Sequence, residues 1–184
     1  MKIKATAPAF TLVEMIIAIT VFTIFIGFAI SAYLSFHRAD QEALVQRSLT
    51  MEAGTVMDTL TQDIKANKID YTAYAANECT NSLCLISADG TSTTVYAWDS
   101  TTQALTVQKD GGELLPLTSE QVYLNAASFT VFPTADPYDP ANVSDDSVQF
   151  QPLVTLDLIF AAEGSVREEV TVQLKTSVSS RFYQ

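Results

Sequence analysis

Two hydrophobic patterns follow one another along the first third of the chain. From Met15 to Phe36 there is no Asp, Glu, Lys or Arg, and the residues are almost wholly apolar. About 20 such residues suffice to cross the hydrocarbon core of a bilayer as a helix. The hydroxyls inside the run, on Thr20, Thr23, Ser31 and Ser35, can bond back to the helix backbone. Gly27 leaves room for another helix to approach. After Phe36 the pattern narrows to a stripe. Val45, Leu49, Ala53, Val56, Leu60 and Ile64 recur at three or four residues, with Asp40, Glu42, Arg47, Glu52, Asp58 and Lys65 mostly off it. No proline interrupts residues 10–66. The patterns therefore predict one helix about 85 Å long, bent near Gly27 or Gly54 and ending at Asn67. Its first half is apolar all round, and its second half lies against a globular head.

Beyond the helix the period becomes that of strands. Leu83–Ser87, Thr94–Trp98, Ala104–Lys109 and Val122–Phe132 are short β-type runs, separated by turn-like Asp99-Ser100-Thr101-Thr102-Gln103 and Lys109-Asp110-Gly111-Gly112. The best pair comes last. Val154, Leu156, Leu158 and Phe160 alternate with Thr155, Asp157 and Ile159. After a turn at Ala162-Glu163-Gly164-Ser165, Val170, Val172 and Leu174 alternate with Thr171, Gln173 and Lys175. That predicts a hairpin with one buried face. The expected class is α+β, one long helix packed on an antiparallel sheet.

Composition changes this picture little. The chain has 184 residues and a formal net charge of −11. Its length suggests one domain, or one domain plus an extension. Its acidity argues against nucleic acid as the main partner, since phosphate binding needs clustered Lys and Arg. The two cysteines, Cys79 and Cys84, are too few for a four-ligand zinc site and lack Cys-x-x-Cys spacing. Outside the cytoplasm they would form a local disulfide; otherwise they are two loop thiols.

The N-terminal residues change it more. Residues 1–9 are short and basic, through Lys2 and Lys4, which assigns this end to the cytoplasm. A secretory signal runs basic, apolar, then small-residue cleavage site; here the plausible cut precedes the apolar run, which the mature chain would keep. Glu14 is the anomaly, because a carboxylate within a membrane segment costs about 2.5–3.5 kcal/mol on insertion scales. It either sits at the interface in water or is neutralised by a positive partner. A cut before Phe10 would create one, an α-amino group charged below a pKa of roughly 8.

Ala9-Phe10-Thr11-Leu12-Val13-Glu14 resembles the class III signal of type IV pilins and type II secretion pseudopilins: Gly or Ala, then Phe-Thr-Leu-x-Glu, opening a long apolar helix. The resemblance implies a pilin-like fold. Its parts would be a leader at 1–9, a transmembrane and filament-core helix at 10–36, an amphipathic continuation at 37–66 and an extracytoplasmic β-rich head at 67–184. It implies that a prepilin peptidase cuts between Ala9 and Phe10 and methylates the Phe10 amine. It also implies that Glu14 pairs with the Phe10 amine of a neighbouring subunit. The departure is Ala9, where Gly is usual. The partners implied are other pilin or pseudopilin subunits, the peptidase and an inner-membrane assembly platform. The location implied is the cytoplasmic membrane, single-pass, and then the filament. Met57-Asp58-Thr59-Leu60-Thr61-Gln62-Asp63-Ile64-Lys65 and Thr176-Ser177-Val178-Ser179-Ser180-Arg181 further resemble J-type minor pseudopilins and related minor pilins. These imply a tip or initiation subunit. Major pilins typically carry a disulfide near the C-terminus, whereas the pair here is central.

His37 would have to serve any Ser-His-Asp or Cys-His enzyme, but it follows the apolar run, far along the chain from both cysteines. Asp136, Asp139, Asp145 and Asp146 form a carboxylate-rich loop, a weak calcium candidate without the EF-hand pattern; two prolines mark it as an ordinary loop. Tyr71, Tyr74, Trp98, Tyr123 and Tyr138 are partner contacts or padding for a small core. No cofactor motif, phosphate loop or catalytic constellation is expected. The alternatives to a filament subunit are a single-pass membrane protein with a sensing or ligand-binding outer domain, and a membrane-anchored enzyme.

Overall fold

The long helix α1 runs from Leu12 to Ala66 without a break, through Gly27 and Gly54. In the computed structural model, which describes residues 11–139, 151–163 and 169–180, it ends where the stripe ends. Asn67 closes it, donating its backbone N–H and its Nδ2 to the Asp63 carbonyl. The chain divides between Ala43 and Leu44 into two compact units. The second unit begins with the amphipathic part of α1. Leu49, Ala53, Val56, Met57, Leu60 and Ile64 of that part are buried, and Val45 is half-buried. Fully burying one such Leu or Ile stabilises the fold by about 1.5–3 kcal/mol.

In chain order there follow β1 (Lys68–Ile69), α2 (Tyr71–Ala75), β2 (Ser82–Ile86), β3 (Thr93–Asp99), β4 (Ala104–Lys109), β5 (Leu115–Pro116), β6 (Val122–Phe132), β7 (Leu153–Glu163) and β8 (Glu169–Ser179). All four longer expected runs and the late hairpin are strands. The short β1, α2 and β5, of two, five and two residues, are too brief to show a period. Asp70 caps α2 by accepting from the backbone N–H of Thr72 and Ala73.

The expected single sheet is two. One has the order β1-β2-β3-β4-β5 and the other β6-β7-β8, both antiparallel throughout. The reason lies at the start of β6. Instead of extending the first sheet, β6 is tied to its flank by the Leu124 N–H to the Gln103 carbonyl (2.7 Å) and by Trp98 Nε1 to the Leu124 carbonyl (3.1 Å).

A bulge at Asn125 then sets which side chains of β6 reach the core. Register shifts between Leu124, opposite Phe160, and Ala126, opposite Ile159. Even-numbered Val122 and Leu124 are buried before it; odd-numbered Ala127, Phe129 and Val131 pack on the core after it. One extra residue flips sequence parity while the inward face stays the same. That face meets Val154, Leu156, Leu158 and Phe160 of β7, all fully buried.

Three polar ties close the second unit. Glu52 of α1 accepts from both the N–H and the hydroxyl of Ser119. The Ser180 hydroxyl donates to the Asn67 carbonyl at 2.8 Å. The Tyr96 hydroxyl donates to Asp63 of α1. Among the described residues no buried side-chain nitrogen or oxygen lacks a partner.

Candidate functional site

The first turn of α1 is a capping box. The Thr11 N–H donates to Glu14 Oε2 at 2.9 Å and the Thr11 hydroxyl to the same oxygen at 3.1 Å; the Glu14 N–H donates back to Thr11 Oγ1 at 3.3 Å. A reciprocal Thr-x-x-Glu pair satisfies backbone donors that a helix start leaves open. It also sets a carboxylate at the positive end of the helix dipole. The Glu14 carboxylate therefore has a partner within its own chain. The spacing Thr11-Leu12-Val13-Glu14 carries that signal, a third way to satisfy the carboxylate besides water or an amine. Ala9 and Phe10 lie outside the described residues.

From Leu12 to Phe36 every large apolar side chain is exposed, Ile26 least, at 39 %. The helix contains a stretch long and apolar enough to cross a membrane. Its hydroxyls turn inward on the backbone as expected: Thr20 to the Ile16 carbonyl, Thr23 to Ile19, Ser31 to Gly27 and Ser35 to Ser31, at 2.8–3.0 Å. The surface left facing outward is thus almost purely hydrocarbon, which lipid or other apolar helices can cover. His37 at the end of this stretch is exposed and stacks on Tyr33, with ring centroids 6.3 Å apart.

Cys79 and Cys84 form a disulfide that ties the loop after α2 to β2, with Cα atoms 6.1 Å apart. Tyr74 braces it. Its hydroxyl donates to the Ser82 carbonyl at 3.0 Å and accepts from the Cys84 N–H. Burial raises the Tyr74 phenol above its ordinary pKa, the Cys84 N–H lowers it in part, and the Asp70 charge raises it further.

The aromatic candidates divide. Trp98 and Tyr74 are spent on internal hydrogen bonds, and Tyr71 donates to the Pro133 carbonyl at 3.1 Å. Tyr123 is half-buried beside a groove at the start of β6. In the acidic loop, Asp136 accepts from the Tyr138 N–H at 2.9 Å, an Asx turn. Asp139 is exposed, and Asp145 and Asp146 lie outside the described residues. Among the described residues no group of three or more His, Cys, Asp or Glu is placed to hold a metal ion.

Compared with protein-family models, curated proteins and solved structures, the chain matches none.

Proposed function

We propose that the chain is a structural subunit of a helical, pilus-like filament, anchored by α1 in the cytoplasmic membrane before assembly. More narrowly, it is a subunit of the type IV pilin and type II pseudopilin kind, cut between Ala9 and Phe10 by a prepilin peptidase. The observation that carries the reading is an apolar stretch from Leu12 to Phe36, exposed all round, that opens on Phe10-Thr11-Leu12-Val13-Glu14. Such a surface needs lipid before assembly and neighbouring helices after it.

On this reading the capping box stabilises Glu14 while the subunit stands alone in the bilayer. Cleavage then places a positive amine one residue before Thr11. In the filament a neighbour's amine pairs with the same carboxylate and fixes the helix register, because a buried charge without a partner is costly. The chain itself performs no reaction. The likeness of residues 57–65 and 176–181 to minor subunits supports a place at the tip or in initiation.

Intact-mass and N-terminal peptide mass spectrometry of the membrane-purified protein tests the proposal. The expected result is a chain beginning at N-methylated Phe10. A chain retaining Met1 would overturn it and favour a membrane protein with an outer sensing domain.

A further inference from the structure

Beside the amphipathic part of α1 the second unit carries a groove of about 470 Å³. Val45 and Leu49 of α1, Val122 of β6 and Ala162 of β7 give it an apolar part, with Ser48 and Gln121 beside them. Its rim carries Glu120 and Glu163, both exposed. Glu120 is held over α1 by the preceding residue, since Ser119 donates twice to Glu52 and accepts from the Val122 N–H. Burial raises the nearby Tyr123 phenol, and the charges of Glu169 and Glu163 add to the shift, as expected where negative potential gathers. Apolar side chains next to two carboxylates fit an arginine, whose stem covers hydrocarbon while its guanidinium takes the acids.

Among the described residues of the second unit the chain supplies one arginine, Arg47. Arg47 lies on α1 between Val45 and Leu49 and is exposed. At about 100° per residue it points roughly 160° away from both, so it cannot enter its own groove. The one ion pair among the described residues is Lys175 with Asp157, so Arg47, Glu120 and Glu163 are all without an ionic partner there.

We infer that the groove is the docking site for Arg47 of a second copy of this chain. The contact joins two different faces of the molecule, so it is heterologous and can repeat from copy to copy, as a filament requires. It rests on the membrane-anchored filament reading. Initiation needs only that such contacts start a row, so the contact fits an initiation subunit as well as one repeated along the filament.

The test uses the full-length chain in native membranes, carrying Arg47→Lys, which keeps the charge and adds a coupling amine. A zero-length carbodiimide then joins a lysine amine to a carboxylate in contact with it. Mixed isotope-labelled and unlabelled copies distinguish couplings between chains from those within one. The expected result is a ladder of dimers and higher products, with peptides joining residue 47 of one copy to Glu120 or Glu163 of another. Glu120→Gln with Glu163→Gln abolishes the ladder. A protein processed to Phe10 that gives no such peptide, or that couples residue 47 to other carboxylates or only to another protein, overturns the inference and leaves the filament reading standing. An intact Met1 with the ladder present overturns the filament reading and leaves the contact standing.

Discussion

Single residues in this chain settle polar accounts that periodicity leaves open. Thr11 and Glu14 satisfy each other at the start of α1. Tyr96, buried on β3, meets Asp63 on the helix, and burial with the adjacent carboxylate raises its phenol well above the ordinary pKa of 10.0. A folded-state pKa above the unfolded one means that stability is complete below pH about 10 and falls as the unfolded chain begins to lose its proton. Tyr96→Phe should cost about 1.5–3 kcal/mol at neutral pH, the usual contribution of a hydrogen bond to a charged group. It should also flatten the alkaline fall. Denaturant unfolding at pH 7 and at pH 11 measures both; equal slopes with pH for the two proteins would refute the coupling.

At the scale of elements, β6 decides how the two sheets share one core. Its bulge is a surplus residue, so removing Asn125 leaves a regular ladder with Phe129 and Val131 still facing β7. The deletion should change stability by no more than about 1 kcal/mol, losing mainly the Asn125–Glu169 hydrogen bond. Inserting one residue after Ser128 should cost about 2–4 kcal/mol, because it turns Phe129 and Val131 toward solvent. Urea unfolding of the two variants separates these expectations. A deletion as damaging as the insertion would show that the bulge itself carries the packing.

For the whole molecule, the relevant fact is where the core begins. The buried cluster and the apolar residues packed on it all fall between Val45 and Val178, while Leu12 to Phe36 contributes no large buried side chain. A fragment from Leu44 to Gln184 should therefore be soluble without detergent and unfold in one cooperative thermal transition. The full chain should need detergent or lipid. Circular dichroism and sedimentation of the fragment provide the check, and an aggregated or non-cooperative fragment would mean that the first unit is needed for folding.

The sequence by itself determined what depends on near neighbours. The uncharged run, the stripe from Val45 to Ile64 and the alternation in the late hairpin are local periodicities. They placed α1, four strands and the β7–β8 pair within a few residues of their observed bounds. The two-residue strands β1 and β5 were too short to show a period. The Thr11-x-x-Glu14 spacing that caps α1 is local in the same way. Tertiary structure alone decided what depends on segments far apart. The split into two sheets rests on β6 meeting β3 and the turn before β4. The hold on Glu120 needs Ser119 to reach Glu52 across 67 positions, and the closure of β8 on the helix end needs Ser180 to reach Asn67 across 113. The groove beside Leu49 exists only where β6 and β7 come to lie beside α1, a juxtaposition that no local pattern encodes.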